Sequence, residues 1–246
     1  MPGTSQAVLL VADISGFTQF LRLHAISTSH AREIIVRLLN VLVHASRPPL
    51  RVAELEGDAV FFYALAEGDD LASVSERVKD QIPRLFRAFR REIDALRQMP
   101  LCVCDACTSV GNLRLKQVVH AGEVVLERID RFEKLFGIDV VVVHRMLKNS
   151  VPAKEYLMLS DPAYTSFMGF YDQEPERRRE AFEGVGELDM LVFYETHLAS
   201  VLERVAEDSE DSHAAGRLGV LGWKLGMLGR TVTGLLRRRS TPASPA

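Results

Sequence analysis

Cysteine is scarce in this chain: three of 246 residues, Cys102, Cys104 and Cys107, an odd number confined to one short stretch. That pattern excludes the disulfide framework that staples small secreted domains. Long apolar runs are also missing. No stretch of about 18 uncharged apolar residues occurs, so no membrane-spanning helix is expected. The opening MPGTSQAV has no basic residue ahead of an apolar core, which argues against a secretory signal. A net charge of −3 lacks the cation excess of a nucleic-acid-binding protein. No internal repeat is visible. These absences point to a cytoplasmic protein with no nucleic-acid partner. What is present, 47% hydrophobic and 26% charged residues, is ordinary globular composition for one large domain with room for an appendage.

The chain is organised around VLLVADISGFTQF, Val8 to Phe20. Val8 to Ala12 form a short apolar run suited to a strand buried on both faces. Asp13 follows, where strand packing has no use for a charge. Ser15 and Gly16 supply a turn, and Phe17 to His24 begin a helix. A carboxylate at a strand end, beside free N–H groups at a helix start, suits a metal and the phosphates it carries, although a plain helix cap fits the same string.

Ser27 to Ser29 interrupt that helix, and Ser29 caps a second one running to about Ser46. Leu50 to Leu55 and Ala59 to Leu65 form a hairpin around Glu56-Gly57-Asp58. Asp69 to Gln98 reads as one long helix, with Pro83 as a kink. Cys102 to Asn112 reads as a loop. Strands are expected at Leu113 to Ala121 and Glu123 to Ile129. Val140 to Val143 is a β-branched run leading into a short helix at His144 to Lys148. Tyr156 to Leu159 is a strand, and Ser160 caps a helix that starts Asp161-Pro162. Ala181 to Gly184 and Met190 to Tyr194 make a last hairpin. The order predicts an α+β fold, a largely antiparallel sheet with helices packed on it.

Six segments taken together resemble one family, the class III nucleotidyl cyclases. VLLVADISGFTQFL is similar to that family's first strand, turn and helix. AELEGDAVFFYA is similar to its central hairpin, QVVHAGEVV to its His-x-Gly-Glu strand, and FGIDVVVVHRM to its Gly-rich turn, strand and Arg, which implies a strand at Val140 to Val143. YLMLSDPAYTSF and EGVGELDMLVFYE resemble its late strand–helix and closing hairpin. The segments occur in the family's order and span about Ala7 to Glu195. The resemblance implies a ferredoxin-like class III cyclase fold over residues 6–196, with an insertion at 102–111. It also implies a homodimer with composite sites, and cyclisation of a nucleoside triphosphate with release of pyrophosphate.

On that resemblance Asp13 and Asp58 align with the family's metal-binding aspartates, and the Ile14 carbonyl with its backbone ligand. Two Mg²⁺ or Mn²⁺ ions are therefore expected, since hard cations take oxygen ligands. The backbone of Ser15, Gly16, Phe17 and Thr18 would hold the β- and γ-phosphates. Arg145 aligns with the transition-state arginine. Glu54 aligns with the first base-selecting position and has the carboxylate that guanylyl cyclases use there. Lys134 aligns with the second and is neither the Asp nor the Cys expected. Val141 stands where the transition-state Asn belongs, and Val185 where a phosphate-binding Lys belongs. Losing one preorganised stabiliser costs ~10²–10³ in rate. Lys134, Lys116, Lys148 or Asn149 are available to substitute. Two readings therefore stand side by side: a slow metal-dependent cyclase, and a catalytically inactive cyclase-fold module that signals through protein or membrane contacts.

Cys102, Cys104 and Cys107 can supply three thiolates to zinc, with His120, His44 or a second chain's cysteine as the fourth ligand. A redox-active pair, or three plain reduced thiols, fit the spacing equally. His24, His30 and His44 read as surface or edge residues on helices, His120 as structural, and His144 as a neighbour of Arg145.

Residues 197–212 read as an acidic linker, with Glu203, Glu207, Asp208, Glu210 and Asp211. Residues 213–239 read as an amphipathic basic helix, with Leu218, Leu221, Leu225, Leu228, Val232 and Leu235 on one face. Six glycines there, at ~1 kcal/mol each, leave such a helix unstable without a surface to fold on. An anionic membrane, a partner helix and the parent domain itself are all possible surfaces. Residues 240–246 read as a disordered end. If the membrane is the surface, the full-length protein sediments with anionic vesicles at low salt, with ~1 kcal/mol gained per cation at the surface. Salt weakens that binding, and truncation after Asp211 abolishes it while leaving the domain folded.

Overall fold

In a computed structural model, residues 3–21, 25–68, 70–98 and 105–204 are described, except for the side chains of residues 25–29 and 105. The elements in order are β1 (Ser5–Ser15), α1 (Phe17–Leu21), α2 (Ala25–Ala45), β2 (Arg51–Glu56), β3 (Ala59–Leu65), α3 (Leu71–Lys79), α4 (Gln81–Gln98), α5 (Asp105–Ser109), β4 (Arg114–Ile129), β5 (Phe132–Phe136), α6 (Ile138–Met146), β6 (Tyr156–Ser160), α7 (Asp161–Ser166), β7 (Glu176–Phe182), β8 (Gly186–Tyr194) and α8 (Glu195–Arg204). The strands form one sheet in the order β2-β3-β1-β4-β6-β8-β7, with β5 hairpinned onto β4. Every pairing is antiparallel except β4 with β6. The α+β class expected from the sequence is the class observed.

β1 is central, between β3 and β4, and its alternate residues feed two cores. Val8, Leu10, Ala12 and Ile14 face the larger core, under α2, α3 and α4. Ala7, Leu9 and Val11 face a smaller core that contains Val142, Val143 and Met146 of α6. A strand apolar at every position is what burial on both faces requires. On the large-core side, α4 buries Ile82, Leu85, Phe86, Phe89, Ile93 and Leu96, the stripe expected at helical spacing.

Several boundaries differ from expectation. Ser27 to Ser29 lie inside α2 and not at its start, which is Ala25. The long helix is two, broken at Asp80. Asp70 caps the first by accepting from the Ser73 N–H at 2.6 Å. Pro83 falls in the first turn of α4, where its missing N–H costs nothing, so it does not kink the helix. The stretch expected as a loop carries α5 and a 3-10 turn at Val110–Asn112. The two strands around Gly122 are one, β4, and the sequence reading missed β5. α8 occupies residues first read as linker and buries Leu198 and Val201. β2 pairs with β3 through a bulge between Val52 and Glu54.

The largest correction is α6. Val140 to Val143 are helical, not a strand. Tertiary contacts override the β-branched propensity. The helix starts after Gly137, whose φ of 145° no L side chain adopts readily and whose added Cβ would lie 2.8 Å from the Glu123 carbonyl. In its first turn Asp139 accepts from the Glu123 N–H at 2.7 Å and faces His120 Nε2 at 2.9 Å. His120 Nδ1 meets Ser160 Oγ at 2.8 Å, and that hydroxyl also accepts from the Ala163 N–H to cap α7. His120 is thus structural, as expected. It ties β4, α6 and α7 together.

This network leaves no room beside Gly122, where a Cβ would sit 2.2 Å from Asp139 Cγ. Gly122→Ala should displace Asp139 and cost ~1–3 kcal/mol, the usual range for overpacking. A urea denaturation midpoint checks this, and an unchanged midpoint would mean that Asp139 moves aside freely.

Candidate functional site

The end of β1 places Asp13 in register with Ala59 of β3 and Lys116 of β4. Directly opposed residues share a face, so Asp13 projects on the side that carries α6. Lys116 Nζ lies 2.9 Å from Asp13 Oδ2. Asp58 sits at the turn between β2 and β3, and its carbonyl accepts from the Ile14 N–H at 3.1 Å. That bond ties the hairpin tip to the strand end. The Asp58 carboxyl is pushed up to about 6, first by burial and then by the charge of Asp13, against the opposing pull of its own backbone N–H and of Lys116. The two aspartates predicted to be neighbours are therefore neighbours electrostatically. A pair of like charges, one forced toward its protonated form, is the arrangement that a cation relieves.

On the same face a cavity of about 510 Å³ opens between β2, β3, β5 and α6. Glu54, Lys134, Val141 and Arg145 all line it, so the structure brings four sequence-assigned positions together. Lys134 Nζ donates to Glu54 at 2.6 Å, and both side chains are about half exposed. Arg145 reaches Glu183 at 3.6 Å. Val141 presents an apolar, 43% exposed surface to the opening. Lys148 lines the cavity too, whereas Asn149 turns to Tyr156 and the Met146 carbonyl. Val185 lies in the β7–β8 turn, partly buried against the smaller core, with no cation to offer. Ser15 ends β1, Gly16 makes the turn, and Phe17 and Thr18 open α1, a helix of five residues.

Sequence reasoning gave little weight to His144 and none to Glu56. His144 Nε2 meets Glu56 Oε1 at 2.8 Å, Nδ1 meets the Val140 carbonyl at 2.7 Å, and the ring edge packs on Phe61. The spacing held a signal. Glu54 and Glu56 are two apart on one strand, and His144 is three after Val141 on one helix, so each shares a face with an assigned residue.

The cysteine loop is only partly described. Cys102 and Cys104 lie outside the described residues. Cys107 Sγ faces His30 Nδ1 at 3.7 Å. His30 is 3% exposed, not the surface residue expected. The two histidines considered as zinc ligands are engaged elsewhere: His44 with the Asn40 carbonyl, and His120 as above. Among the described residues, no three His, Cys, Asp or Glu side chains converge as a metal site. No described helix is long and apolar enough to cross a membrane, and residues 205–246, with the basic segment, lie outside the description.

Solved structures of class III cyclases share this fold. The adenylyl cyclase CyaB from P. aeruginosa is similar over 78% of this chain and 96% of its own, with a TM-score of 0.59 and 12% identity. The guanylyl cyclase Cya2 is similar over 78% and 92%, with a TM-score of 0.57 and 17% identity. A class III adenylyl cyclase-like ATP-binding protein from Pseudomonas aeruginosa is similar over 66% of this chain and 35% of its own, with a TM-score of 0.55 and 18% identity. The protein therefore has a divergent class III cyclase fold. In sequence it is 34% identical over 153 residues to "Uncharacterized protein Rv2561/Rv2562" of Mycobacterium tuberculosis, covering 62% of this chain and 69% of that one. The chain belongs to the family of that mycobacterial protein. Residues 35–156 match the family model described as "Protein of unknown function (DUF2652)".

The raised Asp58 carboxyl has a direct consequence for stability. An acid whose pKa rises from 3.8 unfolded to about 6 folded binds its proton more tightly in the native state. Its stabilising contribution is complete below pH 3.8 and is lost as pH rises through about 6. Asp58→Asn should flatten thermal stability across that window and raise it at neutral pH. Mn²⁺ should lower the midpoint of the Asp58 carboxyl titration followed by NMR, because cation and proton compete for the same oxygens.

Proposed function

We infer that this protein binds a nucleoside triphosphate together with Mg²⁺ or Mn²⁺ at Asp13 and Asp58, as a homodimer, and cyclises it slowly or not at all. The observation that carries this reading is the carboxylate pair: burial and then the charge of Asp13 raise the Asp58 carboxyl, across a hairpin tip that is hydrogen-bonded to the strand end. The donor set fits a hard divalent cation, with two carboxylates and the Ile14 carbonyl all offering oxygen. Bound there, such a cation would neutralise triphosphate charge and lower the pKa of an attacking ribose hydroxyl.

The chain's own residues do the rest. Lys116, now paired with Asp13, supplies a cation for the phosphates beside the backbone N–H groups of Ser15 to Thr18. Glu54 and Lys134 offer an acceptor and a donor to the edge of a base. Among the described residues Arg145 pairs with the exposed Glu183 alone, a kind of contact worth little, so it can turn to an anion. The apolar side chains of Phe132, Phe136, Ile138 and Val141 are exposed on β5 and α6. Their burial favours a second copy against this face, with one chain's Asp13 and Asp58 completing the other's Arg145 cavity.

A specific observation favours the second reading as well, a binding module without turnover. Val141 and Val185 put no donor into the site. Turnover is measured with Mn²⁺ and each of the four nucleoside triphosphates, with cyclic product read by mass spectrometry. Binding is expected as a rise in melting temperature that Asp13→Ala with Asp58→Ala removes. Val141→Asn with Val185→Lys should raise any turnover by ~10²-fold or more. Binding that survives the double aspartate variant would overturn the metal assignment. Binding with no product, even after repair of both valines, would establish the module.

A further inference from the structure

A second cavity, of about 420 Å³, opens at the end of the sheet where Asp13 stands. Arg114 lines it from the start of β4, Lys154 and Glu155 from the approach to β6, and Tyr194 to Thr196 from the passage of β8 into α8. Asn112 lines it from the 3-10 turn. The cavity adjoins the turn after β1. Ser15 is the register partner of Arg114, and a Cβ on Gly16 would lie 3.7 Å from the Asn112 carbonyl. Lys116 is the register partner of Asp13. Residues two apart on a strand share a face, so Arg114 follows Lys116 along β4 on that face, about 6.6 Å away.

Donors outnumber acceptors here. Arg114 is half-buried and commits only its Nη1, to the Gly111 and Leu113 carbonyls at 2.6 and 2.9 Å. Those bonds fix the guanidinium without neutralising it, since both acceptors are uncharged. Its Nε and Nη2 have no partner among the described residues. Lys154 is exposed and has no hydrogen bond or ion pair among the described residues. The two carboxylates of the cavity belong to another cation. Arg90 of α4 donates to the buried Glu155 through Nε, at 2.9 Å, and through Nη2, and it faces Glu195 at 3.8 Å. The side chains of Asn112 and Thr196 are exposed and uncommitted among the described residues. Two cations without a carboxylate, beside an amide and a hydroxyl, form a lining suited to an anion with several oxygens.

We propose that this cavity is an anion site for a diphosphate group, held by Arg114 and Lys154. The planar guanidinium offers paired N–H groups to phosphate oxygens, and the lysine adds a point charge from a second segment. Positive charge placed at two points favours a diphosphate over a single phosphate. A triphosphate at Ser15 to Thr18 would have this cavity beside its phosphates, which makes pyrophosphate the ligand. That identity rests on the nucleotide reading, whereas the cavity and its cations do not.

The test is isothermal titration calorimetry of the full-length protein with inorganic pyrophosphate, at low salt and without metal. Saturable binding is expected, tighter than that of inorganic phosphate. Arg114→Gln with Lys154→Gln should weaken it by about tenfold or more, the loss expected for charged hydrogen bonds. Lys154→Glu should weaken it likewise. It replaces an exposed side chain with no contact to lose, and so serves if the first variant disturbs the start of β4. Absence of binding, or binding that both variants leave unchanged, overturns the proposal. Inorganic phosphate bound as tightly as pyrophosphate overturns the diphosphate assignment. With neither metal nor nucleotide present, failure here leaves the Asp13 and Asp58 reading standing. Equally, a triphosphate that gives no metal-dependent rise in melting temperature leaves this site standing.

Discussion

The register of β1 between β3 and β4 is the constraint on which the rest depends. Its apolar residues fill two cores at once, so the strand cannot slip by one position without turning each side chain to the opposite face. That rigidity is transmitted to Asp13, which has no packing role of its own. Opposite it stand Ala59, next to the hairpin tip bearing Asp58, and Lys116. The carboxylate pair is therefore positioned by hydrophobic burial several residues away, and the backbone bond from Ile14 to Asp58 completes the placement. Such a site is built before any ligand arrives, and the repulsion it stores is borne by the core.

Several charges on this face are paired within the chain. Asp13 is matched by Lys116, Glu54 by Lys134 and Arg145 by Glu183, and Glu56 meets the His144 ring. Each pair is partly exposed, so none is worth much to stability. On the proposed function, their effect would be on binding. A ligand that is itself mixed in charge, anionic at its phosphates and amphoteric at its base, can exchange partners with these pairs without leaving a charge unpaired. A simple anion or cation cannot. Self-balance also accounts for how a polar cavity coexists with valines where a cyclase places a donor.

The fold was legible in the sequence to the extent that burial patterns are unambiguous. β1, the β2–β3 hairpin, the stripe of α4 and the Ser160 cap all follow from local chemistry. Asp13, Asp58, Glu54, Lys134 and Arg145 were assignable from motif order, and the structure puts them on one side of the sheet. What the sequence hid depended on distant contacts. Val140 to Val143 look like a strand until Asp139 is anchored by His120 and the Glu123 amide, 19 and 16 positions away in sequence. β5 is too polar and short to announce itself without β4 beside it. His30 passed for a surface residue because its neighbour Cys107 comes 77 positions later.

The bulge in β2 is a matter of counting. Arg51 opposes Tyr63 and Val52 opposes Phe62, but after the bulge Glu54 opposes Phe61 and Glu56 opposes Ala59. Because alternation has a period of two, the one extra residue, Ala53, reverses the phase of everything after it. Glu54 and Glu56 owe their place in the cavity to that reversal. Were Ala53 paired in register instead of bulged, Glu54 would fall opposite Val60, on the side that belongs to the large core, and Leu55 opposite Ala59. The acid paired with Lys134, and the acid that meets His144, are thus set by parity, and a strand that paired Ala53 instead of bulging it would exchange its polar and apolar sides.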